Sequence, residues 1–250
     1  MRGLEGKIIV ISGAAKGIGK ATAKRFIEEG AGGIAILDFD YDEALKTAEE
    51  LDPSDSVIQV LKCDVSKPDE VEIAVAAVMD RFGRIDVLIN NAGITRDVMF
   101  HKMTDEQWHT VLDVNLNGAY YLSRRVFPIM RAQEGGAIVN VSSVTAYGNI
   151  GQANYSVSKA GLVGLTKTLA KEGGKKGIRV NAVLPAYIKT DMYNTVPEKV
   201  LQEGIKSRVY LHRMGEPEEV ASVIAFLASD EASFVTGQEI VISGSFQTVT

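Results

Sequence analysis

The chain has 250 residues, 46% of them apolar and 24% charged, and 27 Lys and Arg against 32 Asp and Glu leave a net charge of −5. That length and apolar content suffice for one substantial core, and an acidic balance with no basic stripe excludes a nucleic-acid binder. No stretch approaches the ~18 apolar residues of a membrane span and the single cysteine, Cys63, allows no intrachain disulfide, so one cytoplasmic domain over residues 1–250 is expected.

The first run, Lys7 to Ile11, is short and β-branched and predicts a strand. It feeds directly into Ser12-Gly13-Ala14-Ala15-Lys16-Gly17-Ile18-Gly19, after which helix formers continue to Glu29. Strand, glycine turn and helix in succession suit a pyrophosphate: the glycines permit the tight turn and close approach, and free N–H groups at the helix start face the anion. Gly13, Lys16, Gly17, Ile18 and Gly19 are therefore candidate dinucleotide-binding residues, although Gly-x-x-x-Gly-x-Gly differs from the commoner Gly-x-Gly-x-x-Gly. The next strand, Ile34 to Leu37, ends at Asp38, nineteen residues past Gly19. A carboxylate there accepts from a ribose 2′-hydroxyl and repels a 2′-phosphate, and Phe39 beside it adds no positive charge, so NAD is expected over NADP. Lys16 pulls the other way, since a cation in the loop can help hold a 2′-phosphate, and keeps NADP as the alternative.

Two more strand ends extend this cleft. Val57 to Lys62 precedes Cys63-Asp64-Val65, which places Asp64 to accept from an adenine amino group and Val65 to pack on the ring. Val87 to Ile89 precedes Asn90-Asn91-Ala92-Gly93, small and polar enough for close passage beside a cofactor, though Asn at a turn often only satisfies backbone groups. Ser66 with Pro68, and the capping-box pair Thr104 and Gln107, mark helix starts. Pro128 is expected to bend or end the long helix begun at Thr104.

Ala137 to Val141 reads as a buried strand and puts Ser142 at its carboxyl end, where open α/β sheets hold ligands. Thirteen residues on stands Tyr155, with Lys159 at i,i+4 on one face of a helix begun near Gln152. Tyrosine ordinarily loses its proton near pH ~10 and a neighbouring cation favours the phenolate, so the pair suits proton exchange with an alcohol or ketone. Ser143 competes with Ser142; strand alternation sends the two side chains in opposite directions, and the spacing to Tyr155 favours Ser142. Tyr147 reads as a wall of the substrate pocket. Ile178 to Leu184 and Glu239 to Ile242 bring the count to seven strands, and the alternation with helices predicts an α/β fold: a Rossmann-type doubly wound parallel sheet with helices on both faces. Residues 186–215 read as a substrate lid whose two-charge basic excess suits an anionic substrate or a solvated helix pair. His101, His109 and His212 lack metal-ligand spacing, and no metal is expected.

Gly13-x-x-x-Gly17-x-Gly19, Asp64, Asn90-Asn91-Ala92-Gly93, Asn115, Ser142, Tyr155-x-x-x-Lys159 and Pro185-x-x-Ile188-x-Thr190 together resemble the short-chain dehydrogenase/reductase family, in its order and spacing, from Lys7 to about Gly244. Within that family, Gly93 to Asp97, Trp108 with Asn115 to Gly118, Gly151 to Tyr155, Thr190 to Met192 and Gly215 to Val220 are most similar to 3-oxoacyl-acyl-carrier-protein reductases. The resemblance implies reduction of a 3-oxoacyl thioester; the alternatives are dehydrogenation of another secondary alcohol, such as a polyol, sugar or hydroxy acid, and a dinucleotide-binding regulator without turnover. It implies that Tyr155 gives the proton and Ser142 holds the carbonyl oxygen, while Lys159 binds the nicotinamide ribose and depresses the Tyr155 pKa. Asn115 would hold a water, and Asn91, Ala92, Gly93, Pro185, Ile188 and Thr190 would line the cofactor. A homotetramer or dimer pairing the long helices is implied, with Val111, Leu116, Leu122, Leu165 and Leu169 divided between core and interface. The acyl chain would arrive on acyl carrier protein or coenzyme A; of the basic carrier-docking positions, Lys176 matches one and Arg131 lies two residues from the other, Gln133. Three features depart from the pattern: Asp38 in place of an NADPH-type site, Ala186 for a glycine, and the ending Ile242-Ser-Gly-Ser-Phe246.

Overall fold

Each central strand presents two apolar faces, and the sheet is buried on both. In the computed structural model, which describes residues 1–191 and 198–246, Ile9 and Ile11 pack with Phe26, Val220 and Ile224 on one side. Ile8 and Val10 pack with Val71, Val75, Leu122 and Val126 on the other. The period of two sorts consecutive residues into opposite cores, which is why these strands read as unbroken apolar runs. Each such side chain contributes about 1.5–3 kcal/mol on full burial.

The strands are β1 (Ile8–Ser12), β2 (Gly33–Asp38), β3 (Ile58–Lys62), β4 (Val87–Asn90), β5 (Gly136–Val141), β6 (Ile178–Pro185) and β7 (Glu239–Ile242). They form one parallel sheet in the order β3-β2-β1-β4-β5-β6-β7. Helices α1 (Gly17–Glu28), α2 (Tyr41–Leu51), α3 (Pro68–Phe82), α4 (Asp105–Leu112), α5 (Gly118–Gln133), α6 (Ala153–Gly173), α7 (Glu198–Arg208) and α8 (Pro217–Ala228) connect and cover it. The winding reverses between β1 and β4, so a crevice opens at their carboxyl ends, where the glycine loop and Asn91 to Gly93 lie.

The capping box forms as expected, with Thr104 and Gln107 satisfying each other's backbone N–H groups. Ser66 does not cap α3: its hydroxyl donates to Asp64 Oδ1 at 2.7 Å, and the helix starts at Pro68 after Lys67. Pro128 does not end its helix either, because buried Leu122, Val126, Phe127 and Met130 hold the turns on both sides of it against the core. α4 and α5 run into each other through a π-helical turn, Asp113–Asn117, with Asn115 at its centre. Such turns occur chiefly at functional sites.

The proposed lid is tied at its two ends, Lys189 N–H donating to the Gly215 carbonyl and Gly215 N–H to the Tyr187 carbonyl, both at 2.9 Å. Met192 lies outside the described residues. No described helix is long and apolar enough to cross a membrane.

Candidate active site

The cofactor side of the crevice is shaped by the absence of side chains. Gly13 has φ +68°, and a Cβ there would stand 2.7 Å from the Ala92 Cα; a Cβ on Gly19 would overlap the Gly13 carbonyl oxygen. Gly17 (φ +56°) leaves room for Thr190, whose Cγ2 lies 3.3 Å from where its Cβ would be. Ile18 tucks against the core, while Gly17, Lys20 and Thr190 border a cleft of ≈ 300 Å³. Asn91 stitches the loop to the end of β4, its Nδ2 donating to the Ser12 and Gly13 carbonyls at 3.0 and 2.7 Å. The Ser12 hydroxyl oxygen accepts from the N–H groups of Asn91 and Ala92 at 3.1 and 3.2 Å. Sequence reasoning missed Ser12; its only signal was its place between the strand and the first glycine.

At the end of β2, Asp38 Oδ2 accepts from Ala15 N–H at 2.9 Å and Oδ1 from Asp40 N–H at 3.0 Å, so the carboxylate is fixed beside the glycine loop. Phe39 is exposed. The Lys16 ammonium is turned toward Glu43 of α2, 3.9 Å away, because that carboxylate competes for it. Asp64 Oδ1 accepts from Ser66 N–H at 3.0 Å. Val65 is buried, its side chain against Gly118, whose missing Cβ makes the room. Asn90 satisfies no turn; it donates to Ser123 Oγ (3.0 Å) and Asn140 Oδ1 (2.8 Å) in a buried polar chain. Pro185 closes β6, and Ile188 is buried just beyond it. The backbone cradle of Gly13 and Gly19 and the carboxylate at the end of β2 fit a dinucleotide.

The catalytic side is built from buried polar side chains. Tyr155, Lys159 and Asn115 are 7%, 3% and 1% exposed, although they carry the polar chemistry of the site. Lys159 Nζ donates to the Val141 carbonyl at 2.8 Å and lies 5.5 Å from the centre of the Tyr155 ring. The Ser142 hydroxyl is engaged within the chain, donating to the Lys159 carbonyl at 2.8 Å. Ser143 instead hydrogen-bonds toward Tyr155 and lowers its pKa. Alternation does send the two hydroxyls apart, but the count of thirteen residues spans a turn and loop, where spacing carries no fixed direction.

Burial pushes the Tyr155 phenol up to about 12, Ser143 opposing and the Asp97 carboxylate adding to the rise. Burial pushes Lys159 down to about 8. Desolvation thus dominates the shift of the phenol, and Lys159 is not among the groups that move it. Asn115 clamps the loop after β4: its Oδ1 accepts from Ile94 N–H at 2.8 Å and its Nδ2 donates to the Ile94 carbonyl at 3.0 Å. The Cβ position that Gly93 leaves empty is 3.3 Å from Lys159 Nζ and 3.4 Å from Asn115 Oδ1.

Asn154, fully buried and not singled out for a role, holds the start of α6 by donating to the Arg96 and Gln107 carbonyls at 3.2 and 3.0 Å. Tyr147 is exposed, and its hydroxyl donates to Glu239 Oε2 at 3.1 Å on the edge strand. The basic excess of the lid is offset from outside it, since Lys189 pairs with Glu216 and Arg213 with Glu219. Among the described residues, no three His, Cys, Asp or Glu side chains are grouped to hold a metal ion.

The family described as Enoyl-(Acyl carrier protein) reductase matches residues 13–246. The chain is 51% identical over 244 residues to the 3-oxoacyl-[acyl-carrier-protein] reductase FabG of Thermotoga maritima, a match covering 96% of this chain and 98% of the relative. It is 44% identical over 239 residues to the acetoacetyl-CoA reductase of Shinella zoogloeoides, covering 95% and 97%. The crystal structure of levodione reductase is similar with a TM-score of 0.90 at 35% identity, over 96% of this chain and 97% of that one. With likeness of this extent in sequence and in fold, the chain belongs to the short-chain dehydrogenase/reductase family and is an NAD(P)-dependent oxidoreductase.

Proposed function

We propose that the protein reduces a 3-oxoacyl thioester to the 3-hydroxyacyl thioester, with NADH as the preferred reductant. The observation that carries this reading is the pairing of two buried groups one helical turn apart, the Tyr155 phenol as proton donor and the Lys159 ammonium 5.5 Å from the centre of its ring. When bound, the reduced dinucleotide supplies a hydride to the carbonyl carbon. Tyr155 gives its phenolic proton to the carbonyl oxygen, and Ser143 donates a hydrogen bond to the same oxygen, the role first assigned to Ser142. General acid catalysis of this kind is worth about 10²–10⁴-fold. Lys159 would hold the nicotinamide ribose, and Asn115 would hold a water through which a proton returns to the phenol. Gly13, Gly17, Gly19, Ile18, Asn91, Ala92, Gly93, Pro185, Ile188 and Thr190 would surround the dinucleotide, and Asp64 would accept from its adenine.

Preference for NADH is supported by the fixed carboxylate of Asp38 and by the engagement of Lys16 with Glu43, which leaves a 2′-phosphate facing a negative charge. The thioester is supported by the reductases of oxoacyl and acetoacetyl thioesters among the relatives. Its carrier would be acyl carrier protein or coenzyme A, with Lys176, now paired with Glu134 at 2.7 Å, as the basic group to meet an acidic carrier. We also read the protein as a cytoplasmic homotetramer: Val111 and Leu122 are taken up by the core, whereas Leu116, Leu165 and Leu169 are half-buried and available to a helix-pairing interface. A second reading, oxidation of another secondary alcohol with NAD, is favoured by the carboxylate of Asp38 at the end of β2. Turnover with acetoacetyl thioester, measured with NADH and NADPH beside a panel of secondary alcohols run with NAD, separates the two. Thioester reduction with a higher kcat/KM for NADH is expected; higher kcat/KM for NADPH would remove the cofactor preference, and turnover of an alcohol alone would establish the second reading.

A further inference from the structure

The loop after β4 is pinned at four successive points, the last three of them to the start of α6. Asn115 holds Ile94 at both backbone groups, and Asn154 donates to the Arg96 carbonyl. Asp97 Oδ2 then accepts from Gln152 Nε2 at 2.7 Å, and Val98 N–H donates to the Gly151 carbonyl at 2.8 Å. Gln152 is itself held, its Oε1 accepting from Asn149 Nδ2 at 2.7 Å. Gln152 and Tyr155 are three residues apart at the head of α6, on one face. The clamp therefore ties the Asp97 carboxylate to the head of the helix that carries Tyr155.

That carboxylate is uncompensated. Among the described residues no cation acts on Asp97, and the neighbouring Arg96 guanidinium bonds back to its own loop at the Thr95 carbonyl, 2.8 Å away. The residue is exposed as a whole, yet its acid end is desolvated enough for its pKa to rise. Its charge is felt by the phenol of Tyr155. The reduction proposed above makes no use of it.

We propose that Asp97 selects the chemical form of the substrate: held by Gln152 beside Tyr155, its negative charge admits 3-oxoacyl groups masked as neutral thioesters or esters and repels free 3-oxo acids. In a free 3-oxo acid the carboxylate stands one methylene from the reacting ketone, so it cannot approach Tyr155 without approaching Asp97. Discrimination of this kind is a repulsive element and is read as a ratio of kcat/KM values. The inference rests on the reductase reading and deepens it.

The test is kcat/KM with NADH for ethyl acetoacetate and for acetoacetate, in the wild type and in Asp97→Asn, Asp97→Ser and Asp97→Glu, with thermal midpoints to show that each variant is folded. Removal of the charge in Asp97→Asn or Asp97→Ser is expected to lower the ester-to-acid ratio about tenfold, the order of effect of two like charges several ångströms apart in a half-wetted cleft. Asp97→Glu is expected to restore the ratio. A ratio unchanged in both neutral variants, whether both rates fall together or neither does, overturns selection by charge and leaves Asp97 a structural strut. A wild type that turns over neither the ester nor acetoacetyl thioester brings down the reductase reading instead, and this inference with it.

Discussion

The two sides of the crevice are made in opposite ways. The cofactor side is a surface of backbone: Gly13 and Gly19 leave no room for a Cβ, and Ser12 and Asn91 bind main-chain groups. The catalytic side is a set of polar side chains taken almost entirely out of water, and its two titrating groups, Tyr155 and Lys159, are driven in opposite directions by that burial. A backbone surface fails through steric overlap, whereas a buried polar set fails through the loss of one proton or one hydrogen bond. Substitutions on the two sides therefore leave different signatures, one in stability and cofactor affinity, the other in turnover.

The largest effect is expected from Tyr155→Phe, which keeps the ring and removes the acid. Turnover should fall by about 10²–10⁴-fold while cofactor binding, followed by nicotinamide fluorescence, stays close to wild type. Retention of more than roughly a tenth of wild-type kcat would break the division, because the catalytic side would then not depend on its acid. Next comes the pair Ser143→Ala and Ser142→Ala. Loss of a donor to the reacting oxygen should lower kcat by about 10²-fold in Ser143→Ala. Ser142→Ala should cost only about 1 kcal/mol of stability through its lost bond to the Lys159 carbonyl. The reverse ranking in steady-state kinetics would return the catalytic role to Ser142.

On the cofactor side, Gly19→Ala places a methyl group on the Gly13 carbonyl oxygen, which is backbone and cannot swing away. A loss of up to about 3 kcal/mol in chemical denaturation, together with weakened cofactor binding, is expected. An unchanged midpoint and dissociation constant would show that the loop yields more easily than its packing implies. The last effect concerns Lys159→Met and pH. The folded chain holds Lys159 at about 8 against an ordinary 10.5, so between those values the unfolded chain binds more protons and stability rises with pH. Urea unfolding of wild type should therefore gain about 2 kcal/mol on Lys159→Met between pH 8 and pH 10. A gap that stays constant over that window would mean that the ammonium is better solvated than its burial suggests.

The sheet and the glycine turn were legible in the chain because their signals are local. Val10 and Ile11 are neighbours in sequence that face opposite cores, so a strand buried on both sides shows as an unbroken apolar run. Gly13, Gly17, Gly19 and Asp38 follow one another across a single strand–turn–helix–strand unit, and the chain geometry there leaves little freedom. Tyr155 and Lys159 were legible for the same reason, being one helical turn apart.

What tertiary structure decided was the partner of each polar group. Ser142 and Ser143 are adjacent and chemically identical, and only the path of residues 144–152 back to α6 sets which hydroxyl meets the phenol. Lys16 finds Glu43 only because α2 brings that carboxylate within 3.9 Å, and Val65 is buried only because Gly118 makes room for it. Pro128 signals a helix end locally, and the core on both sides of it overrides the signal. Sequence alone thus settles the backbone periodicities and the groups available within a turn or two. The destination of a side chain across a loop, and the pKa that burial gives it, depend on contacts between segments distant in the chain, and those exist only once the sheet and its helices have packed.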